Sequence, residues 1–229
     1  MNILYPRRCT VCHQILTEKG ILVCRACENQ LHPIIKDYCL KCGRPVAPEV
    51  EFCPECRKVH REFDRGRGVF LYNNRMRQSL LHYKYYGSRE YGEYYAASIC
   101  RYMERDIRAW NPDVIIPVPL HRARRRKRGY NQAQILAENL GRMLCIPVDS
   151  KSLARRKKTS PQKKLGHNER KKNLKNAFAV TPAFRPVRKV LLVDDIYTTG
   201  NTLDAAAKAL KGKGVEKVYF LTISIGQGY

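Results

Sequence analysis

With 229 residues and 44% hydrophobic content, the chain has room for one ordinary domain plus a small one, which excludes a wholly disordered or fibrous class. Its formal net charge of +24 is far beyond what solubility requires and points to a polyanionic partner or substrate. No apolar run approaches transmembrane length, and Met1 to Arg8 lack the apolar core of a secretory signal, so no membrane insertion and a cytoplasmic location are expected.

The N-terminal stretch carries four CxxC pairs, Cys9/Cys12, Cys24/Cys27, Cys39/Cys42 and Cys53/Cys56, separated by 11, 11 and 10 residues. Two residues between thiolates let one tight turn aim both sulfurs at one ion, and two such turns complete a tetrahedral four-cysteine zinc site. Eight ligands predict two structural Zn2+ sites. Consecutive pairing gives Cys9, Cys12, Cys24 and Cys27 for one and Cys39, Cys42, Cys53 and Cys56 for the other, and an interleaved pairing also fits the spacing. A disulfide framework does not suit a reducing compartment. The segment is too short and polar for a good core, so metal binding should supply much of its folding free energy. His13, His32 and His60 lie in or beside the module and are not needed as ligands. Cys100 and Cys145, set apart, read as buried small hydrophobes.

The domain boundary is expected near residue 60: a zinc module over 1–60 and a larger domain over 61–229, with Arg57 to Gly68 as a basic, Gly-containing connection. Val69 to Tyr72 reads as a strand, Arg75 to Tyr85 and Tyr91 to Trp110 as helices, and Asp113 to Pro119 as a buried strand. The loop that follows holds six basic residues among the seven from Arg122 to Arg128. Arginine forks bind phosphate oxygens in pairs, so Arg124 and Arg128, together with Val118 and Pro119 at the strand end, are candidates for a pyrophosphate loop. A helix from about Tyr130 to Leu144 comes next. Lys151 to Lys175 contains 11 Lys or Arg and one acid, Glu169, and reads as a mobile basic cover. From these two segments Arg124, Arg125, Arg126, Lys127, Arg155, Arg156, Lys157 and Lys158 are candidate contacts to a nucleic-acid backbone, with Tyr83, Tyr85, Tyr86 and Tyr130 as aromatics near that charge that could stack on bases.

A short strand near Phe178 precedes the most informative segment. Val190, Leu191, Leu192 and Val193 form an apolar run suited to a central strand covered on both faces. Asp194 and Asp195 follow at its carboxyl end, where α/β sheets place ligands and where paired carboxylates can accept hydrogen bonds from a vicinal diol. Thr198, Thr199, Gly200, Asn201 and Thr202 then supply hydroxyls and backbone N–H groups before a helical run from Leu203 to Leu210, the makings of a phosphate cradle. An isolated Asp-Asp pair is an ordinary turn former; the strand before it and the Thr-rich run after it make this one a ribose-phosphate site. A closing strand is expected over Lys217 to Ser224. The alternation of strands and helices argues for an α/β doubly wound parallel sheet with a small N-terminal zinc domain.

The run from Asp194 to Thr202 resembles the phosphoribosyl pyrophosphate signature of type I phosphoribosyltransferases. The resemblance implies that Asp194 and Asp195 hold the ribose hydroxyls and that Thr198 to Thr202 hold the 5′-phosphate, with Mg2+ accompanying the ligand. Thr198 stands where hypoxanthine-type enzymes carry an Asp, which speaks against purine salvage. Pro117 to His121, Arg128 to Ala133, Thr159, Gln162, Arg170 and Asn173 to Phe178, with the cysteine module, resemble the ComF family, in which a zinc ribbon, often double, precedes a type I phosphoribosyltransferase-like domain. Leu81 to Gly87 is similar to the family's Lys-Tyr-x-Gly segment and places Lys84 near the hood over the site. Ser224 to Gly228 departs from the family's last motif.

The resemblance implies a competence protein of natural transformation that handles incoming single-stranded DNA beside a helicase-like partner. Two other readings remain open: an active phosphoribosyltransferase on an unidentified acceptor in nucleotide metabolism, and a zinc-based adaptor on a dead enzyme fold.

Overall fold

The computed structural model describes residues 6–18, 20–156 and 177–227. Each pair of CxxC motifs builds the same unit. A hairpin closed by an antiparallel bridge, Arg8 with Ile15 and Tyr38 with Pro45, presents the first pair. The second pair opens a short helix, its first cysteine the N-cap and its second inside the helix, α1 (Arg25–Glu28) or α2 (Pro54–Lys58). The two groups are consecutive: Cys9, Cys12, Cys24 and Cys27, then Cys39, Cys42, Cys53 and Cys56, each with all ligand atoms within 4.8 Å of one another. An interleaved pairing is ruled out.

The larger unit follows as β1 (Arg65–Leu71), α3 (Asn74–Tyr85), α4 (Tyr91–Trp110), β2 (Val114–Pro117), α5 (Arg122–Arg128), α6 (Gln132–Leu144), β3 (Leu153–Arg155), β4 (Phe178–Val180), β5 (Lys189–Tyr197), α7 (Asn201–Lys211) and β6 (Lys217–Ile225). The main sheet runs β1-β6-β5-β2, every pair parallel. Val148 adds a parallel bridge beside Ile115. Alternation of side chains along the strands splits the core. Leu191, Val193, Leu221 and Ile223 face α3, α4 and α6, while Val190, Leu192, Val218 and Phe220 face α7 and the second ribbon. This is the expected doubly wound α/β sheet, with β5 central. β3 and β4 form a separate antiparallel pair.

Four expectations need correction. The connection from Arg57 to Gly68 is not all linker, because residues 65–68 already belong to β1. Its glycines are packing residues: a Cβ on Gly66 would lie 2.1 Å from the Phe220 ring, and one on Gly68 2.8 Å from Ile225. The run from Arg122 to Arg128 is helix rather than loop, capped by His121, whose Nδ1 accepts from the Ala123 N–H, and ended by Gly129 at φ 81°. Arg and Lys are good helix formers, and charge density had masked that propensity. β5 does not stop at Val193 but stays paired to β6 through Tyr197. Cys145 is exposed, ending α6 in the left-handed region, and Cys100 is half-buried. Among the described residues no helix is long and apolar enough to cross a membrane.

Candidate ribose-phosphate site and zinc ribbons

The two carboxylates sit where neighbouring strands end at different heights. β2 ends at Pro117, opposite Val193, and the Val118 N–H still donates to the Val193 carbonyl at 2.9 Å. β5 continues along β6, so Asp194 and Asp195 project beyond the end of β2. Asn131 caps α6 and donates from Nδ2 to the Val118 carbonyl at 3.1 Å, bringing the start of α6 to the same crevice.

The pair is electrostatically unequal. Asp195 is buried, its Oδ1 accepts from Gln132 Nε2 at 2.8 Å, and its Oδ2 is ion-paired with Lys84 Nζ. Burial works against its charge, but Lys84 overcomes this, with hydrogen bonds from Asp194 and Gln132, and holds the carboxyl below its ordinary range. For Asp194 the balance runs the other way. Burial, and then the charge of Asp195, push its carboxyl well above the ordinary range. Gln132 is itself held by Arg128, whose Nη1 donates to its Oε1, and by Tyr83, whose hydroxyl donates to its backbone carbonyl at 2.7 Å.

The remaining basic residues divide by orientation. On α5, Arg124 and Arg128 are half-buried on one face, while Arg125, Arg126 and Lys127 are exposed. Arg155 on β3 is half-buried; burial and nearby Arg124 push its guanidinium down, and Asp194 pulls it up, which puts β3 and α5 on the Asp194 side of the crevice. Arg128 also lies over the Tyr85 ring at 4.8 Å, and Arg89 over Tyr130 at 4.7 Å. Tyr85 and Tyr86 are 60% and 70% exposed, whereas Tyr83 and Tyr130 are buried and unable to stack on a base.

The Thr-rich turn leads from Tyr197 into α7, whose N-cap is Gly200 at φ 74° with no side-chain cap. A Cβ there would lie 2.5 Å from the Tyr197 hydroxyl, so only glycine fits. Thr198 is exposed; Thr199, Asn201 and Thr202 are half-buried. Under the turn lie Arg44 and Arg61. Arg44 Nη2 donates to the Thr198 carbonyl at 2.6 Å, and Arg61 Nη2 to the Thr199 carbonyl at 2.8 Å.

The cysteine groups have the dimensions of zinc sites. Sulfurs at about 2.3 Å from one tetrahedral ion lie about 3.8 Å apart. The Cys12 and Cys24 sulfurs are 3.9 Å apart, and those of Cys42 and Cys53 are 3.8 Å apart. The histidines stay outside: His13 Nδ1 is 2.5 Å from the Tyr91 hydroxyl, and its ring stacks on His82 at 3.8 Å.

Residues 1–57 match the double zinc ribbon domain and residues 91–224 the phosphoribosyl transferase domain. Over 217 residues the chain is 33% identical to competence protein F of Haemophilus influenzae, covering 92% of this chain and 93% of that one. The chain belongs to the ComF family. It is also 30% identical to competence protein ComFC of Bacillus subtilis, covering 84% of this chain and 79% of that one. To the DNA utilization protein YhgH of Escherichia coli strain K12 it is 29% identical, covering 93% and 94%. Within this ComF chain the phosphoribosyl transferase match starts at Tyr91, so β1 and the helix that carries Lys84 lie ahead of it.

Of the residues singled out in the sequence, Asp194, Asp195, Lys84, Arg124, Arg128 and Arg155 are brought to one crevice, with Thr198 to Thr202 at the end of β5. Val118 is buried with its N–H in the sheet, and Pro119 is half-buried beside it. Arg156 is exposed, and Lys157, Lys158, Thr159, Gln162, Arg170 and Asn173 lie outside the described residues. Gln132, Arg44, Glu55 and Arg61 were not singled out as site residues. Gln132 stands inside a quoted motif, and its place at the start of α6 was the available signal. Arg44 and Arg61 gave none, because the groups they hold at the turn lie more than a hundred residues away, and Glu55 is joined to the turn only through them.

Proposed function

We propose that this ComF chain binds phosphoribosyl pyrophosphate, or a ligand sharing its ribose-phosphate part, and handles single-stranded DNA in DNA uptake and utilization in the cytoplasm. In this reading Asp194 and Asp195 take the ribose diol. Thr198, Thr199, Gly200, Asn201 and Thr202 take the 5′-phosphate at the start of α7. Lys84, Arg124, Arg128 and Arg155 face the pyrophosphate from α3, α5 and β3. The observation that carries the proposal is the unequal pair: one carboxylate held charged by Lys84 and Gln132, the other pushed towards its neutral form, beside a turn with room for no Cβ at Gly200. A pair in that state offers both an acceptor and a donor to a diol. The crevice joins carboxylates to basic side chains, a set that fits a Mg2+-pyrophosphate, and Mg2+ would supply charge neutralisation there.

The outward face of α5 serves the second role. Arg125, Arg126 and Lys127 track a phosphate backbone, Tyr85 and Tyr86 offer exposed rings beside it, and Arg156 continues the charge towards Lys157 and Lys158. The relatives named as competence and DNA utilization proteins support this reading, which carries with it a helicase-like partner. Transfer to an acceptor is favoured by one observation, the raised carboxyl of Asp194 inside the crevice, as expected of a proton-transferring group.

Calorimetry with phosphoribosyl pyrophosphate and Mg2+ tests the first role: heat is expected from the wild type and not from Asp194→Ala with Asp195→Ala, and a wild type without heat removes the pocket from the function. For the second, log affinity for a single strand should fall with log salt. Replacing Arg125, Arg126 and Lys127 with Gln should flatten that slope by about 2. An unchanged slope would move the DNA to another face.

A further inference from the structure

The second ribbon reaches the phosphate turn through three side chains. Arg44 stands two residues after Cys42, and Glu55 stands between Cys53 and Cys56. One Glu55 oxygen is 2.8 Å from Arg44 Nη1 and the other 2.5 Å from Arg61 Nη2. Both arginines are buried, at 5% and 4% exposure. One carboxylate does not neutralise two buried cations; backbone carbonyls and Asn201 Oδ1 accept further protons, and Arg61 Nε has no partner among the described residues. Arg44 donates to Thr198 at 2.6 Å and from Nε to Gly226 at 3.1 Å; Arg61 donates to Thr199 at 2.8 Å and from Nη1 to Asn201 Oδ1 at 3.1 Å. Gly226 in turn donates to the Tyr197 carbonyl at 2.8 Å, so both ends of the turn are tied to the same group.

The direction of these bonds matters. In a trans peptide the carbonyl and the next N–H point opposite ways. Pulling the Thr198 and Thr199 carbonyls towards the ribbon turns the N–H groups of Thr199 and Gly200 away from it. Those are the donors that a phosphate on this turn requires. The first ribbon has no such device. Its positions corresponding to Arg44 and Glu55 are Gln14 and Ala26.

We infer that Arg44, Glu55 and Arg61 are positioning residues through which zinc at Cys39, Cys42, Cys53 and Cys56 sets the phosphate-binding turn, so that this zinc and the phosphate ligand bind with positive coupling while the first zinc is uncoupled. The inference rests on the proposed role of Thr198 to Thr202. Coupling of this kind is reciprocal: if the zinc-organised ribbon improves ligand affinity, bound ligand protects that zinc by the same factor.

The test uses the full chain with both zincs, phosphoribosyl pyrophosphate with Mg2+ as probe, calorimetry for affinity, and zinc release to a chelator with and without the probe. Saturating probe should slow the loss of one zinc roughly tenfold or more and leave the other unchanged; the protected phase should persist in Cys12→Ser, which removes the first site. Arg44→Gln and Glu55→Gln should keep two zincs and a folded spectrum, yet bind the probe roughly tenfold to a hundredfold more weakly. Arg25→Gln on the first ribbon should bind as the wild type. A wild type that binds the probe while both zincs leave at probe-independent rates overturns the inference alone, as do zinc-loaded variants of unchanged affinity. A wild type that does not bind the probe overturns the pocket reading and the inference together. Should Arg44→Gln fail to fold, the release rates of the wild type decide.

Discussion

At the same turn of the two ribbons, directly after the leading CxxC pair, the first carries His13 and the second Gly43, at φ of 64° and 76°. The turn is otherwise alike: the Cys9 and Cys39 amides donate to Gln14 and Arg44 at 2.7 Å each, and the amides of His13 and Gly43 return to Cys9 and Cys39. His13 is half-buried, stacks on His82 of α3 and meets the Tyr91 hydroxyl of α4. A Cβ on Gly43 would lie 2.7 Å from the Arg67 Cα and the Gly66 carbonyl. The first ribbon therefore rests on α3 and α4 with a small cluster of its own, Cys9, Val11, Val23 and Cys27. The second is pressed flat on β1, and Cys39, Cys42 and Cys53 share the core of α7 and the sheet. It closes the outer edge of β1, where Ile34 donates to Val69 and Gly66 to Lys41. Identical ligand chemistry can thus serve an appendage in one place and a supporting wall in another.

The largest expected effect separates the two metals. Structural zinc contributes about 10–16 kcal/mol in peptide systems, comparable to the whole stability of a typical domain. Cys42→Ser should therefore abolish cooperative folding of the sheet, whereas Cys12→Ser should unfold only the first ribbon. Hydrogen exchange of Leu191, Val193 and Leu221 checks this. Equal protection in the two variants would erase the distinction. The next effect is smaller and lies in packing. Phe220 stacks on Tyr197 at 5.1 Å and meets Phe63 edge-on at 4.9 Å beneath Gly66. Phe220→Ala should cost about 3–5 kcal/mol in denaturant unfolding. Val11→Ala in the first ribbon removes fewer methyl groups and should cost about 1.5–2 kcal/mol, largely without changing the main transition.

Most strands and helices and both cysteine groups were legible because each signal is local: a four-residue apolar run, a helical period, a CxxC turn; the helix Arg122–Arg128 and the strand Leu153–Arg155 were not, hidden in runs read as basic loop and basic cover. The pairing of the cysteines was settled by packing, not spacing. What escaped was long-range. Gly66 and Gly68 read as linker until Phe220 and Ile225 occupy the space above them, and Arg44 and Arg61 read as two of 44 basic residues until Thr198 and Thr199 present their carbonyls. The carboxylates themselves were located from sequence, but their inequality depends on Lys84 and Gln132, which reach them from α3 and α6.

The finest distinction lies inside the crevice that the second ribbon braces, between two adjacent aspartates. The carboxyl of Asp194 is raised above the ordinary value of about 3.9, so from there up to its raised value the folded state holds a proton that the unfolded chain has lost. Its contribution to stability is therefore full at low pH and declines as pH rises through that window. Asp195 behaves oppositely: lowered by Lys84, it stabilises above the ordinary value, and that contribution is lost as pH falls through its folded value. Asp194→Asn should raise stability at neutral pH by about 1 kcal/mol while weakening ligand binding, and Asp195→Asn should lower it by about 1–3 kcal/mol by leaving Lys84 without its counter-charge. Unfolding midpoints of wild type and variants from about pH 2 to about pH 8 check both signs. The difference should survive loss of the first zinc in Cys12→Ser and vanish when the second is chelated, because only the second ribbon shares a core with β5. If both aspartates respond alike, the pair is an ordinary acidic turn; if they diverge, the crevice keeps a stability cost at Asp194 that only a bound diol relieves.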